Sequence, residues 1–223
     1  MKKFAAKTAR AIPVILLADT SGSMSVDGKI DALNGALREM MKTFVNEGRL
    51  KAEIQLAVIT FGGDRAEVHL PLTAAHKIEN VSDLPATGRT PMGGAFDLVT
   101  TLVEDREQIP SRAYKPVLIL VSDGHPTDRW EEAFNRLCSS ERASKATRMA
   151  MAIGNDADTS LLQDFINDLE TPVFQAHEAR DIIRFFRAVS MSVTARSQST
   201  TPNQPVLPVY DDVPDNDVLD LDF

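Results

Sequence analysis

The sequence predicts an α/β fold in which a doubly wound, mainly parallel sheet carries helices on both faces and one antiparallel edge strand. Two apolar runs, residues 12–18 and 116–121, each lead into an aspartate-containing loop, which is typical of parallel strands buried on both faces. Amphipathic stretches separate the strand-like runs, and a Gly-Gly-Asp turn at 62–64 joins two of them in a hairpin. Together these patterns predict one layered α/β domain.

The predicted elements alternate along the chain. The strand-like segments are residues 12–18, 54–61, 66–70, 116–121, 149–153 and 173–175. The helical segments are residues 29–46, 92–107, 130–143, 159–169 and 178–195. Strands separated by helices of this length need right-handed crossovers, and only the short strand 66–70 is expected to return antiparallel, at one edge of the sheet.

Two helix starts have polar residues that suit capping. Thr90 precedes Pro91 and the helix from residue 92, so we expect Thr90 to be its N-cap, with Pro91 in the first turn. Thr127 and Asp128 precede the helix that starts near Trp130, and we expect them to cap that helix.

The charge of the chain is unevenly distributed. The net charge is −8, and the stretch from 197 to the end holds six aspartates and no Lys or Arg, so residues 1–196 carry about −2. A nearly balanced body argues against a broad nucleic-acid-binding face, which needs clustered Lys and Arg. No stretch looks transmembrane, and we expect neither nucleic acid nor membrane as a partner.

The N-terminal region imitates a secretory signal, because several basic residues precede the apolar run 11–18. Cleavage after this run would remove the strand that leads into Asp19. Pro13 also interrupts the apolar run. We therefore expect a cytoplasmic protein. The single Cys138 excludes an intrachain disulfide and reads as a small core residue.

Residues 1–196 are predicted to form the domain, and residues 197–223 an acidic, proline-containing disordered tail. The last residues, 217–223, alternate acidic and apolar side chains, as a peptide that docks on a sheet edge or groove would. One alternative is a solubilising terminus. Another is that a tail aspartate occupies the open position of a metal ion bound by its own or a neighbouring protomer, so that a partner must displace it.

Polar side chains that can bind a metal ion fall in three loops. Asp19, Ser21 and Ser23 follow the first strand, Thr90 lies in a Gly-Arg-Thr-Pro turn, and Asp123 lies in a Ser-Asp-Gly turn after a buried strand. Ligands of open parallel sheets bind outside the carboxyl ends of the strands, so we expect these loops to meet. Oxygen donors without imidazole or thiolate favour Mg²⁺, and Mn²⁺ should substitute.

These residues resemble the metal-ion-dependent adhesion site of the von Willebrand factor A family. The family pattern Asp-x-Ser-x-Ser, a distant Thr and a later Asp is met at all five positions, and the likeness spans residues 11–196. It implies that the Ser21, Ser23 and Thr90 hydroxyls reach the ion, while Asp19 and Asp123 act largely through waters. It also implies that an Asp or Glu of a partner protein completes the coordination, so docking depends on metal.

Within that family, the chain is similar to TerY-type proteins of bacterial tellurium-resistance and stress operons. The resemblance is carried by Asp-Thr-Ser-Gly-Ser-Met at 19–24, Gly-Arg-Thr-Pro-Met-Gly at 88–93 and Ser-Asp-Gly-His-Pro-Thr-Asp at 122–128. It implies a scaffold that acts beside a protein kinase and a PP2C-type phosphatase.

Enzymatic alternatives fit the sequence less well. A phosphohydrolase with Asp19 as nucleophile would be expected to have a second carboxylate where Ser21 stands. The first loop has neither a Gly-x-Gly-x-x-Gly nor a P-loop pattern, and no Gly-x-Ser-x-Gly elbow of a serine hydrolase occurs. We therefore expect an interaction module rather than an enzyme.

Overall fold

The computed structural model describes residues 9–46 and 52–210. The strands are β1 Arg10–Asp19, β2 Ala52–Gly62, β3 Arg65–Ala74, β4 Val117–Ser122, β5 Thr147–Ile153 and β6 Phe174–Ala176. The helices are α1 Lys29–Asn46, α2 Met92–Glu104, α3 Glu131–Ser139, α4 Thr159–Ile166 and α5 Ala179–Gln198. The predicted tail positions 211–223 lie outside the described residues.

The strands form one sheet in the order β3-β2-β1-β4-β5-β6. All neighbouring pairs are parallel except β2 and β3, which pair antiparallel at one edge. The predicted fold class, including the single antiparallel edge strand, is confirmed. The chain moves from β1 to β2 on one side and later to β4 on the other, so the direction of winding reverses between β1 and β4. A crevice at the carboxyl ends of these two strands is where open α/β sheets bind ligands.

Strand β1 is buried on both faces because helices cover both. Its residues Ile12, Val14 and Leu16 pack in one core cluster with α1 and α5, while Ile15 and Leu17 pack in a second cluster with α2, α3 and α4. A continuous apolar sequence is what a strand between two apolar layers needs. The signal-like run 11–18 is therefore central sheet. None of the helices in the described part of the chain has the length and apolar character needed to cross a membrane.

The chain continues past α5 along the side of the domain. Asn203 accepts a hydrogen bond from the Lys115 N–H at 3.0 Å, and the buried Arg196 side chain donates to the carbonyls of Pro202 and Lys115. The Tyr210 ring lies 4.5 Å from the Phe174 ring and 5.8 Å from that of Phe185, measured between centroids. Residues 199–210 thus contact the domain, beyond the boundary that the sequence predicts at residue 196.

We expect Tyr210→Ala to lower the free energy of unfolding by about 2 kcal/mol, because it removes a ring packed on two phenylalanines. Equilibrium urea denaturation measures this change. The matched control is Val209→Ala, since Val209 is 59% exposed and should alter stability little. Equal stabilities for the two variants would show that this contact adds nothing to the fold.

Candidate metal centre

The loop after β1 brings a carboxylate and two hydroxyls to one place. Asp19 accepts a hydrogen bond from the Ser21 N–H on Oδ1 at 2.8 Å. A short 3₁₀ turn at Gly22–Ser25 follows, and it holds the Ser21 and Ser23 hydroxyl oxygens 3.0 Å apart. The alternate spacing of Asp19, Ser21 and Ser23 therefore places their oxygens in one cluster.

The loop after β4 is joined to this cluster by a crosswise pair of hydrogen bonds. Ser23 Oγ donates to Asp123 Oδ1 at 2.7 Å, and Ser122 Oγ donates to Asp19 Oδ2 at 2.6 Å. A serine of each loop thus holds the aspartate of the other. Both aspartates are buried, with Asp19 0% and Asp123 2% exposed. Ser122 was not predicted as a site residue; its place next to Asp123 at the end of β4 is the only sequence signal for it.

The Thr90 loop reaches the other two through its backbone. The Gly22 N–H donates to the Gly88 carbonyl at 3.0 Å, and the Thr87 N–H donates to the Thr20 carbonyl at 2.8 Å. Gly88 has φ +65°, and a Cβ there would lie 2.5 Å from Gly63 Cα, so this close approach requires glycine. Thr90 itself is 7% exposed. The structure thus brings all three predicted loops together at the carboxyl end of the sheet.

The predicted capping roles of Thr90, Thr127 and Asp128 are wrong in detail. The N-cap of α2 is Pro91, and that of α3 is Trp130, neither with a side-chain cap. Asp128 instead accepts the N–H groups of Gly93 and Gly94, at 3.0 and 3.1 Å.

The free N–H groups at the start of α2 face the β4–α3 loop and are satisfied from there rather than locally. The start of α2 and the β4–α3 loop approach each other closely, since a Cβ on Gly93 would lie 2.8 Å from Trp130 Cα. Thr127 Oγ1 also accepts the Thr90 N–H at 3.0 Å. The loop after β4 therefore positions the Thr90 loop.

The buried carboxylates make this end of the sheet electrostatically unusual. Burial raises the pKa of the Asp19 carboxyl above its ordinary value; hydrogen bonds from Ser122 and Ser21 lower it in part, and the nearby charge of Asp123 raises it further. The Lys29 ammonium lies 2.8 Å from Asp123 Oδ2. Lys29 is a second residue that was not predicted at the site, and its only local sequence signal is its position just after Asp27-Gly28.

The donor set fits a hard divalent ion better than a soft one. In residues 9–46 and 52–210, no group of three or more His, Cys, Asp or Glu side chains could hold a metal. An ion at the β1/β4 crevice would therefore depend on hydroxyl oxygens as well as the two carboxylates. Hydroxyl and carboxylate oxygens are ligands that Mg²⁺ and Mn²⁺ accept, whereas Zn²⁺ sites are usually built from thiolate and imidazole.

The chain matches a known protein family and one curated protein. The family model described as von Willebrand factor type A domain matches residues 14–125. Among curated proteins, the chain is 28% identical over 116 residues to an uncharacterized protein of Mycobacterium tuberculosis, a stretch covering 51% of this chain and 18% of that protein. The chain therefore spans only a small part of this relative.

Solved structures share the fold at low sequence identity. A von Willebrand factor type A protein from Catenulispora acidiphila is 22% identical with a TM-score of 0.65, over 82% of this chain and 43% of that one. The pilus adhesin SpaC of Lactobacillus rhamnosus GG is 14% identical with a TM-score of 0.66, over 84% and 30%.

A third structure, the mussel byssus proximal thread matrix protein 1 with a zinc-occupied metal-ion-dependent adhesion site, is 18% identical with a TM-score of 0.63, over 86% of this chain and 49% of that one. The chain spans less than half of each of these structures. With half of its residues matched by the family model, the protein belongs to the von Willebrand factor type A domain family.

Proposed function

We propose that this protein is a metal-dependent protein–protein interaction module whose β1/β4 crevice binds Mg²⁺, or Mn²⁺ in its place, and through it an acidic side chain of a partner. The observation that supports this most directly is the crosswise pair Ser23–Asp123 and Ser122–Asp19, which gathers buried carboxylates and hydroxyls from the ends of two strands and the loops that follow them. Members of this family commonly bind other proteins.

In this proposal the five predicted residues divide into two kinds. The hydroxyls of Ser21, Ser23 and Thr90 would contact the ion, and the carboxylates of Asp19 and Asp123 would act largely through its waters. Neutral hydroxyls leave most of the ion's double positive charge in place, so a bound ion supplies an attractive position for a partner's Asp or Glu. The mussel protein with an occupied site supports the idea that this fold can hold an ion at such a place.

Exposed side chains close in sequence to the site residues offer further contacts for a partner. Val26, in the loop that follows the serine turn, is 53% exposed, and Arg89 and His125 are exposed beside Thr90 and Asp123. His125 Nδ1 lies 3.0 Å from Asp158 Oδ2. One apolar side chain and one arginine around a buried acidic cluster suit an acidic residue flanked by apolar surface on the partner.

For the biological setting we propose a scaffold role in a bacterial tellurium-resistance or stress-response system, in the cytoplasm, beside a protein kinase and a PP2C-type phosphatase. Support for this setting comes from the TerY-like sequence stretches 19–24, 88–93 and 122–128. We propose a binding role rather than an enzymatic one, with neither nucleic acid nor membrane as partner.

Ser23→Ala should weaken Mn²⁺ binding about tenfold or more, because Ser23 is both a proposed ligand and the link to Asp123. Electron paramagnetic resonance of free Mn²⁺ measures the affinity, and competition with Mg²⁺ extends it to the proposed ion. The matched control is Ser25→Ala on the same turn, whose hydroxyl donates to the Gly22 carbonyl and should leave the affinity within about twofold. Equal loss in both variants would point to a disturbed turn instead.

Asp19→Asn should abolish metal binding yet stabilise the metal-free fold by about 1 kcal/mol. The reason is that the folded state disfavours the ionised Asp19 carboxylate at neutral pH, and asparagine fills the same space without charge. Urea denaturation in EDTA gives the stability. A clear loss of stability in EDTA would show that the Asp19 charge supports the fold rather than the metal.

Partner capture should require Mg²⁺ or Mn²⁺ and be lost in EDTA or with Thr90→Ala, while the fold survives. The measurement is affinity capture from lysate of the native host with Mg²⁺ against EDTA, read by mass spectrometry. A kinase or PP2C phosphatase among metal-dependent partners would support the proposed setting. Capture that persists under all these conditions would show that the partner docks elsewhere. Mg²⁺-dependent phosphate release that Asp19→Asn abolishes would favour an enzyme.

A further inference from the structure

An ion pair lies inside the proposed metal site. The Lys29 ammonium is 2.8 Å from Asp123 Oδ2, while Asp123 Oδ1 accepts the Ser23 hydroxyl. The Asp123 side chain is fully buried, and the Lys29 side chain is 21% exposed. The Lys29 ammonium thus covers one oxygen of Asp123, a carboxylate that is proposed to hold the metal.

The fold places Lys29 there through a tight turn. Asp27 and Gly28 have φ of +55° and +68°, and the Lys29 N–H donates to the Val26 carbonyl at 3.2 Å. Asp and Gly are among the residues that best tolerate this left-handed conformation. The turn ends the serine loop and starts α1 with Lys29, whose ammonium also lies near Gly154, just after β5. Lys29 therefore lies over the ends of β4 and β5.

The charges explain why a cation belongs at this place. Asp19 and Asp123 are buried side by side, and a buried carboxylate without a partner is costly. Lys29 supplies one positive charge against their two negative charges, and the serine hydroxyls supply hydrogen bonds. The same charge opposes a divalent ion that would use Asp123, because two cations then share one carboxylate in a poorly solvated place.

We propose that Lys29 is an internal cation of the metal site, which holds Asp123 in the metal-free protein and competes with the divalent ion for it. This inference rests on the proposed metal-binding function. Lys29 is a positioning residue that sets how tightly the ion binds. It makes the site stable when empty of metal, at the expense of metal affinity, so that the ion binds weakly unless a partner also contributes a carboxylate.

Lys29→Met keeps most of the length of the side chain and removes its charge. We expect it to tighten Mn²⁺ binding about tenfold, measured by electron paramagnetic resonance of the free ion. We also expect a lower melting temperature in EDTA and a larger rise on adding Mg²⁺ than in the wild type. Lys29→Arg keeps the charge and should retain weak binding. Circular dichroism verifies that each variant is folded.

The matched control is Lys42→Met, which removes the same charge from the same helix. Lys42 is 13 residues along α1, about 20 Å away at 1.5 Å per residue, and pairs with Glu39. This separation exceeds the screening length of about 8 Å at physiological salt, so Mn²⁺ affinity should stay within about twofold.

Two further outcomes separate the inference from the function. If the wild type binds Mn²⁺ and Lys29→Met binds it equally or more weakly, the role of Lys29 is overturned and the metal site stands. If neither protein binds Mn²⁺, the metal site and the role of Lys29 both fall. Binding by Lys29→Met alone would support both, with the internal cation strong enough to exclude the ion.

Discussion

The carboxylates of Asp19 and Asp123 are buried in one hydrogen-bonded cluster. The groups around them at this end of the sheet must therefore balance their negative charge. Serine donors from the turn after β1 and from the end of β4 hold them, and the Lys29 ammonium supplies one opposing charge. Packing of the apolar core does not by itself require two acidic side chains at this place. The proposed binding of a divalent cation would account for this arrangement.

The sheet topology brings these acids together. Because β1 and β4 are parallel neighbours, their carboxyl ends open at the same edge, and the loops after them share one crevice. The Thr90 loop is then tied to both: Gly22 holds it from the β1 side, while Asp128 and Thr127 hold it from the β4 side. Three loops far apart in sequence are thereby joined by hydrogen bonds.

Much of the fold could be predicted from the sequence because its signals are local. The spacing of apolar residues predicts a helix over 29–46, which is where α1 lies, and the apolar runs predict β1 and β4 to within a few residues. The five predicted metal residues also carry local signatures, and their loops do meet. Their role with a metal stays a prediction.

The parts that sequence reasoning missed depend on contacts between distant residues. Asp128 precedes α3 but accepts the first N–H groups of α2, some 35 residues earlier in the chain, because the packing of the two loops decides which N–H groups face it. Lys29 and Asp123 are 94 residues apart, and no local spacing rule relates them. Tyr210 likewise finds Phe174 and Phe185 only after the sheet has formed.

The closeness of Trp130 to Gly93 has a practical consequence. Trp130 is the only tryptophan of the chain, and its ring meets that of Phe134 edge-on, with centroids 5.8 Å apart. Its backbone lies against the first turn of α2. It is two residues beyond Asp128, whose carboxylate accepts the first N–H groups of that helix. Intrinsic tryptophan fluorescence therefore originates from one point beside the Thr90 loop. The protein carries its own optical reporter of any movement there, with no label attached.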